Sequence, residues 1–202
     1  RSVIRNPNYY FREGITWSFI NSSRFGVRFS PKGFIFDVNG SSLFPDSHQL
    51  TYLLGFLCSK LAYEFLALLN PTISFQVGDV GSLPIKVEKA YLNRVDSLVT
   101  ECIEISTRDW DTFEDSWNFQ RHPLSVHKEG NSIENAFNNW SNFAEDQFQQ
   151  LKANEEELNR IFIEIYGLED ELTPEVEDED ITIRRADRER DVRSFISYAV
   201  GC

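Results

Sequence analysis

The sequence predicts an α+β fold, in which a small, twisted, antiparallel or mixed sheet packs against a long helix and is followed by a helical spacer. Apolar residues alternate in short runs in the first part of the chain, which is typical of strands. They recur at three- and four-residue spacing in the second part, which is typical of helices. The charge also changes: residues 1–90 contain nine lysines and arginines against six acids, whereas residues 91–202 contain eleven against 26.

Two neighbouring strands are expected near the start of the chain. Ile15, Trp17 and Phe19 alternate on one face of the first strand, and residues 25, 27 and 29 do the same in the second. A turn at residues 30–33 precedes the apolar run 34–38, which is typical of a buried strand. The pattern predicts a hairpin formed by the strand at residues 25–29 and the strand at residues 34–38.

A long helix is predicted to follow over residues 47–69. Asp46 or Ser47 is placed to cap it, with Gln49 in position to complete a capping box. Asn70 and Pro71 end it, because a proline disfavours helical backbone in the residue before it. Residues 73, 75 and 77 alternate again and predict a further strand.

The rest of the chain is predicted to be mostly helical. One amphipathic helix covers residues 92–102, and a longer one covers residues 137–165, with Gly167 as its C-terminal stop. We therefore divide the chain into an α+β domain at 1–88, a helical spacer at 89–168, and an acidic linker with the start of a further C-terminal helix at 169–202. Because the chain contains no methionine, we expect it to be part of a longer polypeptide.

No catalytic or metal-binding pattern in the sequence is complete. Asn6-Pro7-Asn8-Tyr9 approaches an amino-methyltransferase motif but lacks its second proline, and Pro45-Asp46 is not followed by the Glu-x-Lys of a nuclease. The three histidines have no partners at zinc spacing, and no phosphate-binding loop is present. We therefore predict no catalytic residue, no metal and no cofactor site in this chain.

The cellular location follows from the cysteines and the most apolar segment. Three widely spaced cysteines in mostly apolar surroundings are typical of a reduced, cytoplasmic protein. The most apolar stretch, residues 50–69, contains Lys60 and Glu64 near its middle. Each such charge at the centre of a bilayer costs about 3 kcal/mol, so a buried core helix and no membrane partner are expected.

A binding surface is the remaining functional candidate. Arginines and one lysine cluster in the first 32 residues against a single acid, Glu13. Arginine forms hydrogen bonds with phosphates and with the major-groove edge of guanine, and polar loop residues contact base edges. A basic hairpin that serves only solubility is the alternative. The candidate DNA-binding residues are Arg5, Arg12, Ser22, Ser23, Arg24, Arg28, Lys32, Asn39, Ser41 and Gln76.

Several blocks, in the same order, resemble the segment after the catalytic domain in the PglX family of BREX adenine-specific DNA methyltransferases and in related single-chain restriction-modification enzymes. The similarity is strongest over residues 8–88. The blocks are YFREGITWS at residues 10–18, SRFGVRF at 23–29, GFIFDVNGSSLFP at 33–45, LGFLCSK at 54–60, LNPTISFQVGDV at 69–80 and LPI at 83–85.

The resemblance implies that residues 1–88 are a target-recognition domain. The parent enzyme would methylate adenine in double-stranded DNA with S-adenosylmethionine, as part of phage defence. The family's catalytic motif and cofactor pocket lie upstream, so no residue here inherits either role. The parent's own catalytic domain and other BREX proteins are further candidate partners. An alternative function is a protein-docking module that uses the acidic run 169–180 and the helix at residues 135–165. A nuclease or methyltransferase active by itself is a third alternative, for which we predict no activity.

Overall fold

The α+β class is confirmed by a computed structural model that describes residues 4–21 and 25–201. Three strands precede seven α-helices in this part of the chain. The strands are β1 (Gly14–Ser18), β2 (Val27–Ser30) and β3 (Gly40–Leu43). The helices are α1 (Ser47–Cys58), α2 (Lys60–Leu69), α3 (Val77–Gly81), α4 (Leu92–Trp110), α5 (Pro123–Val126), α6 (Ile133–Tyr166) and α7 (Arg188–Gly201). Single turns of 3-10 helix lie at Pro7–Tyr9, Lys89–Tyr91 and Asp178–Asp180.

The chain folds as two compact units that are each discontinuous in sequence. Unit 1 contains the residues up to Thr100 together with Glu156–Glu175, and unit 2 contains Glu101–Glu155 and the residues from Val176 onward. These ranges differ from the three segments proposed from the sequence, at 1–88, 89–168 and 169–202. Compactness does not assign a role to a segment, so the division into recognition domain, spacer and linker stays a prediction.

Unit 1 contains the sheet, whose strand order is β2-β1-β3 with both pairs antiparallel. Ile15 and Trp17 of β1 are buried, in agreement with the predicted alternation. The Trp17 indole Nε1 donates a hydrogen bond to the Phe75 carbonyl at 2.9 Å, and the rings of Phe25 and Phe75 pack at 4.8 Å. The sheet therefore buries one face in an aromatic core.

Helices from both parts of unit 1 complete that core. The Phe162 ring of α6 meets Tyr52 and Phe56 of α1 edge-on, at 5.4 Å and 5.5 Å. Gly55 allows α1 to approach α4, because a Cβ at this position would lie 2.8 Å from the Val99 side chain. Residues 84–88 are held by tyrosine hydroxyls: Tyr52 donates to the Lys86 carbonyl, and Tyr166 accepts from the Lys86 N–H.

The predicted hairpin of residues 25–29 and 34–38 is wrong. Residues 34–38 form no strand. The two strands that pair with β1 are β2 on one side and β3 on the other. The Asp37 carboxylate accepts hydrogen bonds from the N–H groups of Asn39 and Gly40 at 2.9 Å and 3.0 Å, which turns the chain into β3. These bonds, with that of Gly40 the stronger influence, lower the pKa of Asp37.

The predicted single helix over residues 47–69 is broken at Ser59. Its backbone is extended, its Oγ accepts from the Ala62 N–H as the cap of α2, and it donates to the Phe56 carbonyl at 2.6 Å. The Asn159 side chain accepts from the Lys60 N–H at 2.9 Å. At the start of α1, Asp46 is the N-cap but its side chain accepts no capping hydrogen bond. The strand predicted at residues 73–77 is also wrong, because Ser74 makes only an isolated bridge with Ile20 and α3 begins at Val77.

Within the described residues, no single helix has both the length and the apolar composition needed to cross a membrane, although the bent pair α1 and α2, at 70° to each other, meets the test jointly.

Unit 2 has two apolar clusters. One joins Ile105, Phe148 and Leu151 to Val176, Ile181 and Ile183. The other surrounds Leu124, Ala136, Trp140 and Ala144. Three apolar residues of the segment 169–202, Val176, Ile181 and Ile183, are therefore buried in unit 2. Asp178 pairs with Lys152 at 2.6 Å and with Arg185 at 2.8 Å, which lowers the pKa of Asp178.

Unit 2 also buries His122, and we expect this histidine to make unit 2 lose stability on acidification. Burial lowers the pKa of His122, partly offset by the negative charge of Asp191. A lowered folded-state pKa means that protons bind the unfolded chain more readily, so stability is complete above an unfolded pKa of about 6.5 and declines as the pH falls below it. Urea unfolding between about pH 7.5 and 5 should therefore show a steeper decline for the wild type than for His122→Asn.

His48→Asn is the matched control, because His48 is exposed at the start of α1. Its pH dependence should follow that of the wild type. Equal slopes for His122→Asn and the wild type would contradict the assignment of this pH dependence to His122.

Candidate nucleic-acid interface

One face of the sheet in unit 1 is polar. In antiparallel pairs, residues directly opposite each other point to the same side, and neighbours along a strand point to opposite sides. Thr16 lies opposite Arg28 on β2 and opposite Ser42 on β3, so all three face away from the buried Trp17. We call this side the polar face, and its side chains are Thr16, Ser18, Arg28, Ser30 and Ser42.

Arg28 is the basic residue of the polar face. Its side chain is exposed, and its Nη2 donates to the Ser18 hydroxyl at 3.1 Å across the β1–β2 pair. Within the described part of the chain it forms no ion pair. The guanidinium therefore keeps most of its donors available, on a surface otherwise lined by hydroxyl groups.

Further cations lie where β1 begins and β2 ends. The Arg12 guanidinium is 5.3 Å from the centre of the Tyr9 ring, and both side chains are exposed. Lys32 lies 3.9 Å from the Glu13 carboxylate, but the Lys32 side chain is 75% exposed. An exposed pair at this distance holds the lysine only weakly. The positive charge at this end of the sheet therefore remains accessible to an anion.

Aromatic rings pack beside these cations. The Phe44 ring is 5.2 Å from Tyr9 and 5.0 Å from Phe36, and Tyr10 meets Phe36 edge-on at 5.5 Å. A Cβ on Gly14 would lie 2.6 Å from the Leu43 carbonyl and 2.9 Å from the Phe44 ring. Because Phe44 covers Gly14, the part of β1 that is accessible on the polar face begins at Thr16.

The other predicted contact residues fall into three groups. Arg5 is exposed near this end, and its carbonyl accepts from the Tyr10 hydroxyl at 2.8 Å. Asn39 is exposed in the turn before β3, and Gln76 is exposed at the cap of α3. Ser41 is only 6% exposed and donates to the Val38 carbonyl, so its hydroxyl is not part of an accessible surface. Ser22, Ser23 and Arg24 lie outside the described residues.

The sequence reasoning missed the hydroxyl groups of the polar face. Their signal was available, because Thr16 and Ser18 alternate with the apolar Ile15 and Trp17 that predicted β1. Phe11, an aromatic residue among the basic residues of this segment, has a backbone φ of +64° and an exposed ring. No local pattern in the sequence predicts that backbone conformation.

A pair of side chains outside the polar face has the composition of part of a catalytic triad. In unit 2, His122 Nε2 lies 2.7 Å from the Ser194 hydroxyl, which resembles a nucleophile and its base. However, Nδ1 accepts from the Leu124 N–H, so in the neutral ring the proton is on Nε2. His122 therefore donates to Ser194 and is not placed to remove its proton. The adjoining cavity is about 100 Å³, whereas small-molecule sites start at roughly 300 Å³.

The described residues do not bring potential metal ligands together. Among the described residues, no group of three or more histidine, cysteine or acidic side chains is placed to hold a metal ion. In doubly wound α/β folds, nucleotide-like cofactors bind at the carboxyl ends of parallel strands, where glycine-rich turns meet helix N-termini. All strand pairs described here are antiparallel, so the geometry offers no such crevice for S-adenosylmethionine.

Comparison with known proteins identifies relatives of the whole chain. No family model matches it. It is 47% identical over 207 residues to the adenine-specific methyltransferase PglX of Lacticaseibacillus casei (strain Zhang), with all of this chain and 17% of that protein aligned. It is 32% identical over 220 residues to the adenine-specific methyltransferase BrxX of Escherichia coli O9:H4 (strain HS), with all of this chain and 18% of that protein aligned.

The chain thus spans less than a fifth of the length of these curated relatives. The resemblance to PglX proteins that the sequence blocks indicated is confirmed. From the identity over its full length we conclude that the chain is related throughout to one segment of the adenine-specific methyltransferases PglX and BrxX.

Proposed function

We propose that unit 1 is the DNA target-recognition part of an adenine-specific DNA methyltransferase of BREX phage defence. The observation that supports this most directly is the polar face, on which Arg28 is exposed among hydroxyl groups without an acidic partner in the described residues. Hydroxyl and guanidinium groups are the donors that proteins use on phosphate oxygens and base edges. The names of the two relatives supply the reaction to which such a surface would contribute.

The charges around the sheet favour a polyanion as ligand. Arg5, Arg12, Arg28 and Lys32 are all exposed, and Glu13 is the one acid between residues 4 and 36. Phosphate contacts from such cations supply most of the sequence-independent affinity for DNA. Hydroxyl groups between them would then contact the duplex at short range, those of Thr16 and Ser42 as acceptors because they donate to backbone carbonyls. Arg12 and Lys32 would orient the duplex along the sheet, and Arg28 is the candidate to read a base.

The catalytic steps are assigned to the rest of the enzyme. S-adenosylmethionine supplies the methyl group in adenine methylation, and we place its pocket in another part of the enzyme, because this chain aligns with less than a fifth of the length of its relatives. The role of this chain is to position DNA for the parent's catalytic domain, in the cytoplasm where both are present. Exposed residues of the helices would contact that catalytic domain or other BREX proteins.

Removing three cations should weaken DNA binding and its dependence on salt. Arg12→Ala, Arg28→Ala and Lys32→Ala, combined in the 202-residue chain, remove up to three phosphate contacts. Each lost contact reduces the slope of log K against log salt by about 0.9, so the triple variant should have a slope smaller by roughly 2 to 3. Fluorescence anisotropy with a short labelled duplex, at salt between about 50 and 200 mM, measures both quantities.

A triple variant with the same change of net charge is the control. Lys89→Ala, Arg94→Ala and Arg193→Ala also remove three exposed cations, none of which lies on the sheet. Its affinity and salt slope should stay close to those of the wild type. If both triple variants lose the same affinity, binding reflects net charge and the polar face is not the interface.

A further inference from the structure

Phe11 has an unusual backbone conformation. Its φ of +64° lies in the left-handed region, which bulky side chains rarely adopt because Cβ then approaches the carbonyl oxygen. Two hydrogen bonds hold it there: its N–H donates to the Phe34 carbonyl at 2.9 Å, and its carbonyl accepts from the Gly33 N–H at 3.2 Å. Gly33 itself has a φ of +106°, a backbone conformation in which any residue with a side chain would be strained. The segment thus holds Phe11 in this conformation from both sides.

Burial of the ring does not explain this conformation. The Phe11 side chain is 59% exposed, and its described ring contact is edge-on to Tyr10 at 6.4 Å. Phe34 and Ile35 beside it are each 61% exposed. In contrast, Phe36 and Phe44 in the same part of the fold pack against other rings. A strained residue that displays an aromatic ring to solvent indicates a contact made with something outside this chain.

The surrounding charges favour one class of partner. Arg12 follows Phe11 directly, Lys32 precedes Gly33, and the carbonyl of Arg5 is tied to Tyr10. An aromatic ring among cations fits a flat apolar surface that is flanked by negative groups. A nucleobase between two phosphates has this chemistry, and proteins insert or stack exposed phenylalanines on such bases where the duplex is unstacked.

We propose that Phe11 stacks on, or wedges into, an unstacked base step of the DNA that the polar face holds. This inference rests on the proposed DNA-binding function. It adds that the surface binds the phosphates of the DNA and also discriminates between base steps by how easily they unstack. Because the cost of unstacking falls when a base is missing, the chain should prefer a duplex with a single abasic site over the intact duplex of the same sequence.

The test compares the two duplexes by anisotropy, using the full 202-residue chain. The wild type should bind the abasic duplex about 5- to 100-fold more tightly, the range that stacking on one base supports. Phe11→Gly should reduce this preference to near one and leave the salt slope unchanged. Since glycine accepts a positive φ, the thermal unfolding temperature should not fall, which separates loss of the ring from loss of the fold.

Three further variants sharpen the result. Phe34→Ala removes a ring of equal exposure nearby and should retain the preference. Phe11→Leu, which keeps an apolar side chain without a π face, should retain part of it if the ring acts as a wedge and none if it stacks. Phe11→Trp should retain it, with tryptophan emission quenched by the abasic duplex.

The outcomes separate this inference from the proposed function. Salt-dependent binding by the wild type with no abasic preference, or with a preference that Phe11→Gly retains, overturns the role of Phe11 and leaves the polar face in place. Absence of salt-dependent binding overturns both. A change of oligomeric state in Phe11→Gly, with DNA preference intact, would assign the ring to a contact between copies of the chain and overturn the proposal.

Discussion

Trp17→Ala is expected to lower the free energy of unfolding by about 3–5 kcal/mol, the range for removing a large buried aromatic side chain. Trp17 is 1% exposed in the centre of β1 and packs against Phe25 at 6.0 Å. Its indole also donates to the Phe75 carbonyl, so alanine leaves both a cavity and a buried acceptor without a partner. Since small domains are stable by roughly 5–15 kcal/mol, this loss is a large part of the total.

Urea unfolding followed by far-ultraviolet circular dichroism measures the loss without depending on tryptophan emission. Trp117→Ala is the matched control, because Trp117 is 101% exposed and its removal should change stability by less than about 0.5 kcal/mol. Trp17→Phe keeps most of the apolar volume and should cost about 1–2 kcal/mol for the hydrogen bond. If Trp17→Ala is no more destabilising than Trp117→Ala, the described core of unit 1 is incorrect.

Asp191→Ala is expected to destabilise unit 2 by roughly 2–4 kcal/mol, because it leaves a buried donor unpaired and removes a charge-assisted hydrogen bond. The Asp191 carboxylate is largely buried and accepts from the Trp140 indole at 2.9 Å, from the Asp187 N–H at 3.0 Å and from Arg190 Nε at 2.7 Å. It therefore joins the start of α7 to the N-terminal part of α6. Alanine would leave the Trp140 N–H inside the apolar cluster without an acceptor.

Glu189→Ala provides the comparison for Asp191→Ala. It removes an acid from the same helix two positions away, but the Glu189 side chain is 73% exposed, and among the described residues its ion-pair partner is Arg193. Exposed pairs of this kind contribute about 0.3–0.5 kcal/mol, so this variant should unfold almost as the wild type does. A similar unfolding free energy for Asp191→Ala and Glu189→Ala would show that the buried hydrogen bonds do not stabilise unit 2.

Patterns confined to one element were predicted well. The alternation of Ile15 and Trp17 predicted β1, and helical spacing predicted the start of α4 and both ends of α6 within a few residues, although α4 continues eight residues beyond its predicted end at residue 102. Gly167 ends α6 with a φ of +68°, as a C-terminal glycine should. These features depend on residues close together in sequence, where periodicity and backbone freedom act directly.

Features that depend on distant residues were not predictable. The break at Ser59 needs Asn159, a hundred positions away along the chain, to satisfy the Lys60 N–H. The apolar run 34–38 suggested a strand, but β3 occupies the other edge of β1 and begins after the Asp37 turn. Strand pairing is decided by the whole sheet, and an apolar run does not specify its partner.

The same distinction applies to the candidate site. Arg12, Arg28 and Lys32 are exposed near one sheet, as the cluster of basic residues suggested. Ser41 is buried because it lies opposite Trp17, and this register depends on how β3 pairs. A shift of one residue in the pairing of β3 with β1 would move the Ser41 side chain to the opposite face of the sheet. The polar character of Ser41 in the sequence therefore does not determine whether it is exposed.

The discontinuity of both units has a consequence for synthesis on the ribosome. Residues up to Thr100 include the sheet and α1, yet Phe162, which fills the space between Tyr52 and Phe56, emerges only after the 55 residues Glu101–Glu155. Synthesis proceeds at about 5–20 residues per second, so the apolar side of α1 stays uncovered in the nascent chain for roughly 3 to 11 seconds. A grafted recognition module must therefore include residues 156–175, and a nascent chain stalled before them is expected to be a client of chaperones.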